Sequence, residues 1–203
     1  MRLVAILLML SFLSGCASWS KAPGFSWSNN PDRKIAILPF RVHTIEKEVE
    51  PGMKIEDFRA VEEEEGIRLQ RDLYRYFLRE LAEQGFEISA IQDYNVTNRL
   101  LLAKEKEVKA GEEVSVEELT EMLGVTAVIS GQVSQLTVYA ESASGLLNGG
   151  LQADRRIEGS FVLQNADDRA LWRYQDIEFG SREASIYEVS KNLLRKVPKK
   201  FPF

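Results

Sequence analysis

Hydrophobic and polar positions follow three regimes along this chain: an apolar leader, a mixed polar stretch, and a long region where strand and helix periods alternate. Leu3 to Leu13 carries no charge. Lys34-Ile35-Ala36-Ile37-Leu38-Pro39-Phe40 is a short apolar run rich in β-forming residues and closed by proline, which predicts a buried strand. Residues 44–65 are strongly acidic, with Pro51 and Gly52 in the middle. Their first part is expected to be an exposed loop. The run Glu62 to Glu65 suits the start of a helix, where the helix dipole favours negative charge. Residues 61–84 repeat at helical spacing, with Ile67, Leu73, Phe77, Leu78 and Leu81 predicted on one face, Tyr74 beside it and Gly85 as the stop. Phe86-Glu87-Ile88 reads as a second short strand. Asp93 is placed to cap a helix over 94–107, with Val96, Leu100 and Leu101 inward. Ser115-Val116-Glu117-Glu118 matches a capping box that opens a short helix ending at Gly124.

From Val125 the pattern changes to β, at first apolar without alternation, as in a central strand covered on both faces. Thr126 to Tyr139 is a predicted long strand, interrupted at Gly131, where a bulge or a close backbone approach is expected. Ser142 to Gly150 is a loop of small residues. Arg155 to Gln164 and Ala170 to Phe179 are two alternating strands joined by the turn Asn165-Ala166-Asp167-Asp168. A last helix, capped by Ser181 or Ser185, places Ile186, Val189, Leu193 and Leu194 inward and ends before Pro198. The order β-α-β-α-α-β-β-β-α defines an α/β fold: a mixed β-sheet with helices packed on it.

The leader bears on location. Arg2 precedes the apolar run, and Leu13-Ser14-Gly15-Cys16 closes it. The run is shorter than the roughly 20 residues a transmembrane helix needs, and it has the layout of a secretory signal. Small residues leading directly into the only cysteine resemble the lipobox of bacterial lipoproteins. That resemblance implies cleavage after Gly15 and acylation of Cys16. Ala17 and Ser18 follow where an aspartate would favour the inner membrane, so the resemblance implies the outer membrane, facing the periplasm. The expected organisation is residues 1–15 as signal peptide, 16–33 as lipidated cysteine and flexible tether, and 34–203 as one domain. Trp19 and Trp27 lie in that tether. They either rest on headgroups, as interfacial tryptophans do, or pack against the domain.

Composition removes several classes. The chain has a net charge of −5, and loss of Arg2 with the leader leaves −6, which argues against nucleic acid as a partner. One cysteine forms no internal disulfide. One histidine, His43, with one cysteine makes no His/Cys zinc site. A Ser-His-Asp triad would have to use His43, and no G-x-S-x-G elbow is present. The glycines near 145–150 match neither phosphate-loop pattern, and the acidic run lacks the order of a calcium loop. No catalytic residue and no cofactor or metal site is expected.

Three segments carry a further resemblance: the strand Lys34 to Phe40 with its Leu-Pro-Phe ending, Leu123 to Val133, and Val162 to Trp172. In this order they are similar to envelope lipoproteins related to the TolB amino-terminal domain. That group includes the curli secretion channel lipoprotein, a lipoprotein activator of a penicillin-binding protein, and neisserial lipoproteins of similar fold. The turn at 165–168 lacks the group's Thr-Gly. The resemblance implies a non-enzymatic module that binds envelope proteins or forms rings. The alternative function is a subunit of a secretion or transport complex, and an envelope hydrolase, which would have to use His43, is a remote third.

Two surfaces are candidates for contact. Leu146, Leu147 and Leu151 stand among glycines and serines, either as a docking loop or tucked onto the sheet. The tail from Arg195 to Phe203 mixes cations, including Lys199 and Lys200, with Phe201 and Phe203. It either touches anionic lipid or an acidic partner, or simply ends a helix with favourable charge. The expected partners are membrane lipid through Cys16, an envelope protein, and further copies of the chain in a homo-oligomer.

Overall fold

The computed structural model describes residues 17–27, 33–45, 55–105, 114–141, 151–180, 184 and 186–203. Among them the strands are β1 (Ser18–Lys21), β2 (Ile35–Ile37), β3 (Arg41–Ile45), β4 (Ala127–Glu141), β5 (Leu151–Asn165) and β6 (Ala170–Gly180). The helices are α1 (Ile55–Gln84), α2 (Tyr94–Glu105), α3 (Val116–Leu123) and α4 (Ile186–Lys196). The six strands form one sheet in the order β1-β6-β5-β4-β2, with β3 also paired to β4. β2 and β3 run parallel to β4, and the other pairs are antiparallel. The mixed α/β class read from the sequence is therefore the observed one.

One face of the sheet holds the main core. Ile37, Ile129, Val133, Ile157, Phe161, Leu163, Trp172 and Tyr174 alternate inward along their strands and lie under α1 and α4. Gly131 has the close approach expected of it: a Cβ there would meet the Phe40 ring at 2.8 Å. That space lets the Phe40 ring meet Phe161 edge-on, with centroids 5.4 Å apart. A smaller cluster on the opposite face joins Ala36, Leu123, Val125 and Val128 with α2 and α3. The Ser115 capping box forms as the sequence predicts. The Ser115 hydroxyl accepts from the Glu118 backbone N–H, and Gly124 closes α3 at φ +63°.

Several expectations change. The opening strand is shorter than expected, Ile35–Ile37, and a second strand, Arg41–Ile45, follows beyond Phe40; Pro39 supplies no N–H to the ladder, and one extra residue separates Ile37↔Ile129 from Arg41↔Gln132. Helix α1 begins at Ile55 rather than near 61. Its buried stripe is Leu69, Leu73, Phe77 and Leu81, each one turn from the next, while Ile67 is 46% exposed. The predicted strand at 86–88 is absent. Instead the Phe86 N–H bonds the Leu81 carbonyl and the Gly85 N–H bonds that of Ala82, a Schellman-type close that takes Phe86 out of any ladder. A 3₁₀ turn follows at Ile88–Ala90, and only Ile91 bridges to Ile35.

The segment expected to be a flexible tether is also partly structured. Ser18–Lys21 pair with Gln175–Trp172 of β6, and Phe25 and Trp27 are buried. The polar sequence Ser-Trp-Ser-Lys carries no strand signal of its own, because it gains its ladder from the free edge of β6. Buried amides tie the helices to the sheet. Gln70 donates to the Ile37 carbonyl at 2.7 Å and exchanges two 2.9 Å hydrogen bonds with Asn98. Gln92 likewise donates to the Leu123 carbonyl at 2.7 Å and accepts from the Thr97 hydroxyl.

Candidate partner-binding surfaces

The face of the sheet opposite α1 and α4 is only partly covered. The strand registers set Arg41, Gln132, Ser160, Gln175 and Ser18 side by side in one row across β3, β4, β5, β6 and β1. Adjacent strands lie about 4.8 Å apart, so the row spans roughly 19 Å. It offers amide, hydroxyl and guanidinium groups and no carboxylate. The row beside it holds Ser130, Val162, Arg173 and Ser20. Where α3 overhangs this face, Ser130, Gln132, Ser160 and Gln164 form the polar floor of a cleft of about 390 Å³, with Leu38 and Leu119 on its apolar wall. Its volume falls in the usual range for ligand sites. The described residues that line it offer hydrogen-bonding groups and apolar surface.

His43 tests the hydrolase idea geometrically. It is exposed at the β3 edge, opposite Ser134, and Ser134 stands opposite Glu158. A hydrolytic triad needs the imidazole between the hydroxyl and the carboxylate. Here the serine is in the middle, and Glu158 pairs with Arg156 at 3.5 Å. Among the described residues, no group of three or more His, Cys, Asp or Glu is placed to hold a metal ion.

The carboxyl-terminal tail folds onto the domain. Phe201 is buried among Trp27, Phe77 and Trp172, with ring centroids 5.2–5.6 Å away. Phe203 is partly buried against Phe86 and Phe77. The reading of Phe201 as a contact residue is thereby corrected: it belongs to the core, because its ring fills the space between Trp27, Phe77 and Trp172, whereas Phe203 packs against that core and stays partly exposed. Lys199 and Lys200 remain exposed. Leu146 and Leu147 lie outside the described residues, as does Cys16. Leu151 opens β5 opposite Glu141, and its side chain is likewise outside the description.

A charged cluster fastens α4 to β6. Asp176 is buried, accepting from the Tyr174 hydroxyl at 2.9 Å and from the Lys196 ammonium at 3.1 Å, while Lys196 also reaches Glu178 at 2.5 Å. Burial, then the bond to Asp176, holds the Tyr174 phenol above its ordinary 10.0. For Lys196, burial opposes the charge, but the bonds to Glu178 and Asp176 outweigh it and hold the ammonium above its ordinary 10.5. Tyr187 is raised as well, by its hydrogen bond to Asp72 and then by burial. The folded protein thus keeps protons that the unfolded chain releases. This stability is complete below about pH 10 and is lost as pH rises through the folded values. The urea midpoint is expected to fall with pH above about 10, and more gently in Tyr174→Phe than in the wild type. Equal slopes would contradict the assignment.

Sequence reasoning missed the polar row. Its residues are scattered over five strands and share no local motif, so only the registers bring them together. Nothing local marks β1 either, and its pairing places the start of the domain beside the only cysteine.

No protein-family model and no curated protein sequence matches the chain. Solved structures do match its fold. The PelC dodecamer from Paraburkholderia phytofirmans superposes with a TM-score of 0.51 at 12% identity, covering 93% of this chain and 98% of that one. The dodecamer of a point variant of PelC from the same organism gives a TM-score of 0.49 at 12% identity, covering 93% and 99%. The class defined here is thus a mixed α/β domain, and the first of these structures shares its fold along nearly the whole length of both chains.

Proposed function

We propose that this protein is a non-enzymatic lipoprotein of the cell envelope, anchored through acylated Cys16 in the outer membrane, facing the periplasm, and assembling with further copies of itself into a closed ring. The observation that carries the reading is a juxtaposition. A lipobox-like sequence ends two residues before a strand of a domain whose fold resembles, over nearly its full length, a chain that forms a dodecamer. Ring assembly uses a heterologous interface, in which one surface of each copy meets a different surface of the next. The open sheet face with its polar row is a rigid, pre-formed surface suited to an envelope protein partner. The three-segment resemblance to the TolB-related lipoproteins points to the same kind of module. Those segments lie together in the fold: β2 pairs with the start of β4, and the β5–β6 turn closes the same end of the sheet.

A second reading, a subunit of a secretion or transport complex, draws on the β4–β5 hairpin. Val138–Glu141 and Leu151–Asp154 pair with each other beyond the last partners on β3 and β6. Among the described residues no further strand pairs with either edge of this two-stranded arm, the arrangement that strand addition uses.

Fractionation of envelopes tests the anchor. The wild-type protein is expected with the outer membrane, and Cys16→Ser is expected to be lost from that fraction. Crosslinking from a photoreactive residue at Gln132, in intact envelopes, reads the open face. A specific adduct with one envelope protein or with a second copy supports the reading. Recovery of uncrosslinked chain alone, with Cys16→Ser still in the outer membrane, would contradict it.

A further inference from the structure

The chain between anchor and domain is very short. Only two residue steps separate Cys16 from Ser18, a reach of roughly 7 Å at full extension, and Ser18 is already paired with Gln175. A domain so tied cannot stand off from the surface that holds Cys16, and the groups around β1 are held against it. Those groups have a consistent character. Trp19 is 52% exposed, although its neighbour across the ladder, Tyr174, is buried. Lys21 lies opposite Trp172 on the same face as Trp19. The Trp172 indole N–H donates to the Lys200 carbonyl at 2.9 Å, and the Trp27 N–H donates to the Pro202 carbonyl at 2.9 Å. These bonds bring the tail to the same corner. Lys21, Lys199 and Lys200 are all exposed there, and no ion pair among the described residues engages them.

We propose that Trp19, Lys21, Lys199 and Lys200 form a seat for an anionic phospholipid surface, fixing the orientation of the domain on the bilayer that anchors it. The proposal rests on acylation of Cys16 for its location and on these four side chains for its chemistry. Tryptophan belongs at the headgroup level, where its ring is half in apolar surroundings and its N–H meets water. Lysines near an anionic surface are attracted within about a Debye length. A cationic corner on a chain of net charge −5 is a local reversal of sign. It turns the remainder of the acidic surface away from the lipid.

Fluorescence quenching tests this directly. The full protein, purified with its anchor, is reconstituted into vesicles carrying brominated acyl chains, either of phosphatidylcholine alone or with about one third phosphatidylglycerol. Trp27 and Trp172 are buried, so quenching reports on Trp19. Strong quenching is expected in the anionic vesicles, weaker quenching in the zwitterionic ones, and none beyond background in Trp19→Phe. Reversing Lys21, Lys199 and Lys200 to glutamate is expected to abolish the preference for anionic lipid, worth about tenfold or more in vesicle affinity when the anchor is left out of account. Quenching that survives Trp19→Phe, or that is equal in both lipids, overturns the proposal. So does a crosslink from position 19 to a second copy, which would make this edge a protein interface. The intact mass of the same sample separates the two readings. A free Cys16 thiol refutes the anchor. The seat is then judged by whether the protein floats with preformed anionic vesicles and not with zwitterionic ones, and failure to float refutes it.

Discussion

Replacing Phe201 with alanine is expected to destabilise the folded protein by roughly 3–5 kcal/mol, the range for truncating a buried phenylalanine. Its ring packs edge-on against Trp27, Phe77 and Trp172 and against Phe203 at 4.9 Å. The 3₁₀ turn at Pro198–Lys200 and the two hydrogen bonds to the Lys200 and Pro202 carbonyls hold this segment against the domain. Alanine would leave a cavity joining the tail, α1 and the amino-terminal segment at Trp27. Urea denaturation of the detergent-solubilised protein reads the loss directly. Lys199→Ala and Lys200→Ala, at exposed sites, are expected to stay within about 0.5 kcal/mol of wild type. Similar small effects at all three positions would mean that the tail is not part of the core.

Gly66→Ala carries the opposite sign from the usual helix rule. In an exposed helix interior this change gains about 1 kcal/mol, because glycine costs that much relative to alanine. Gly66 is buried, and a Cβ there would overlap the Phe40 carbonyl oxygen. That carbonyl is backbone, so it has no rotamer by which to yield. The Phe40 N–H also bonds the Gly66 carbonyl at 3.3 Å, which holds the two backbones together. Separating them would move α1 from the β2–β3 junction and disturb the contact of Phe40 with Phe161. Overpacking of this kind costs about 1–3 kcal/mol, and the denaturation midpoint is expected to fall accordingly. A midpoint at or above wild type would show that α1 does not approach Phe40 this closely.

The sequence was most readable where the signal is local. The Ser115–Glu118 box states a helix start within four residues, and the alternation of Ile157, Phe161 and Leu163 states which side of β5 is buried. Gly131 was readable as a close approach because a glycine inside a strand pattern has few other uses. What escaped depended on distant partners. Trp19 and its neighbours look like linker because their strand exists only against β6. Ile67 looks inward by period, yet the approach of Gly66 to Phe40 rotates it toward solvent. Phe86 looks like a strand residue, but its N–H is consumed in closing α1. Phe201 reads as part of an exposed tail because nothing local reveals the space it fills. Of the candidate contact residues, Lys199 and Lys200 keep their exposure, and the open polar row emerges only from the pairing of five strands.

The proposed function is that of a domain held close to a membrane by its first strand, with a polar sheet face turned to partners. Native mass spectrometry of the protein extracted from membranes in mild detergent tests that claim most directly, since one spectrum gives both the state of Cys16 and the number of subunits. The account predicts a closed homo-oligomer whose subunits each lack residues 1–15 and carry acyl chains at Cys16. Monomers with a free Cys16 thiol would contradict it.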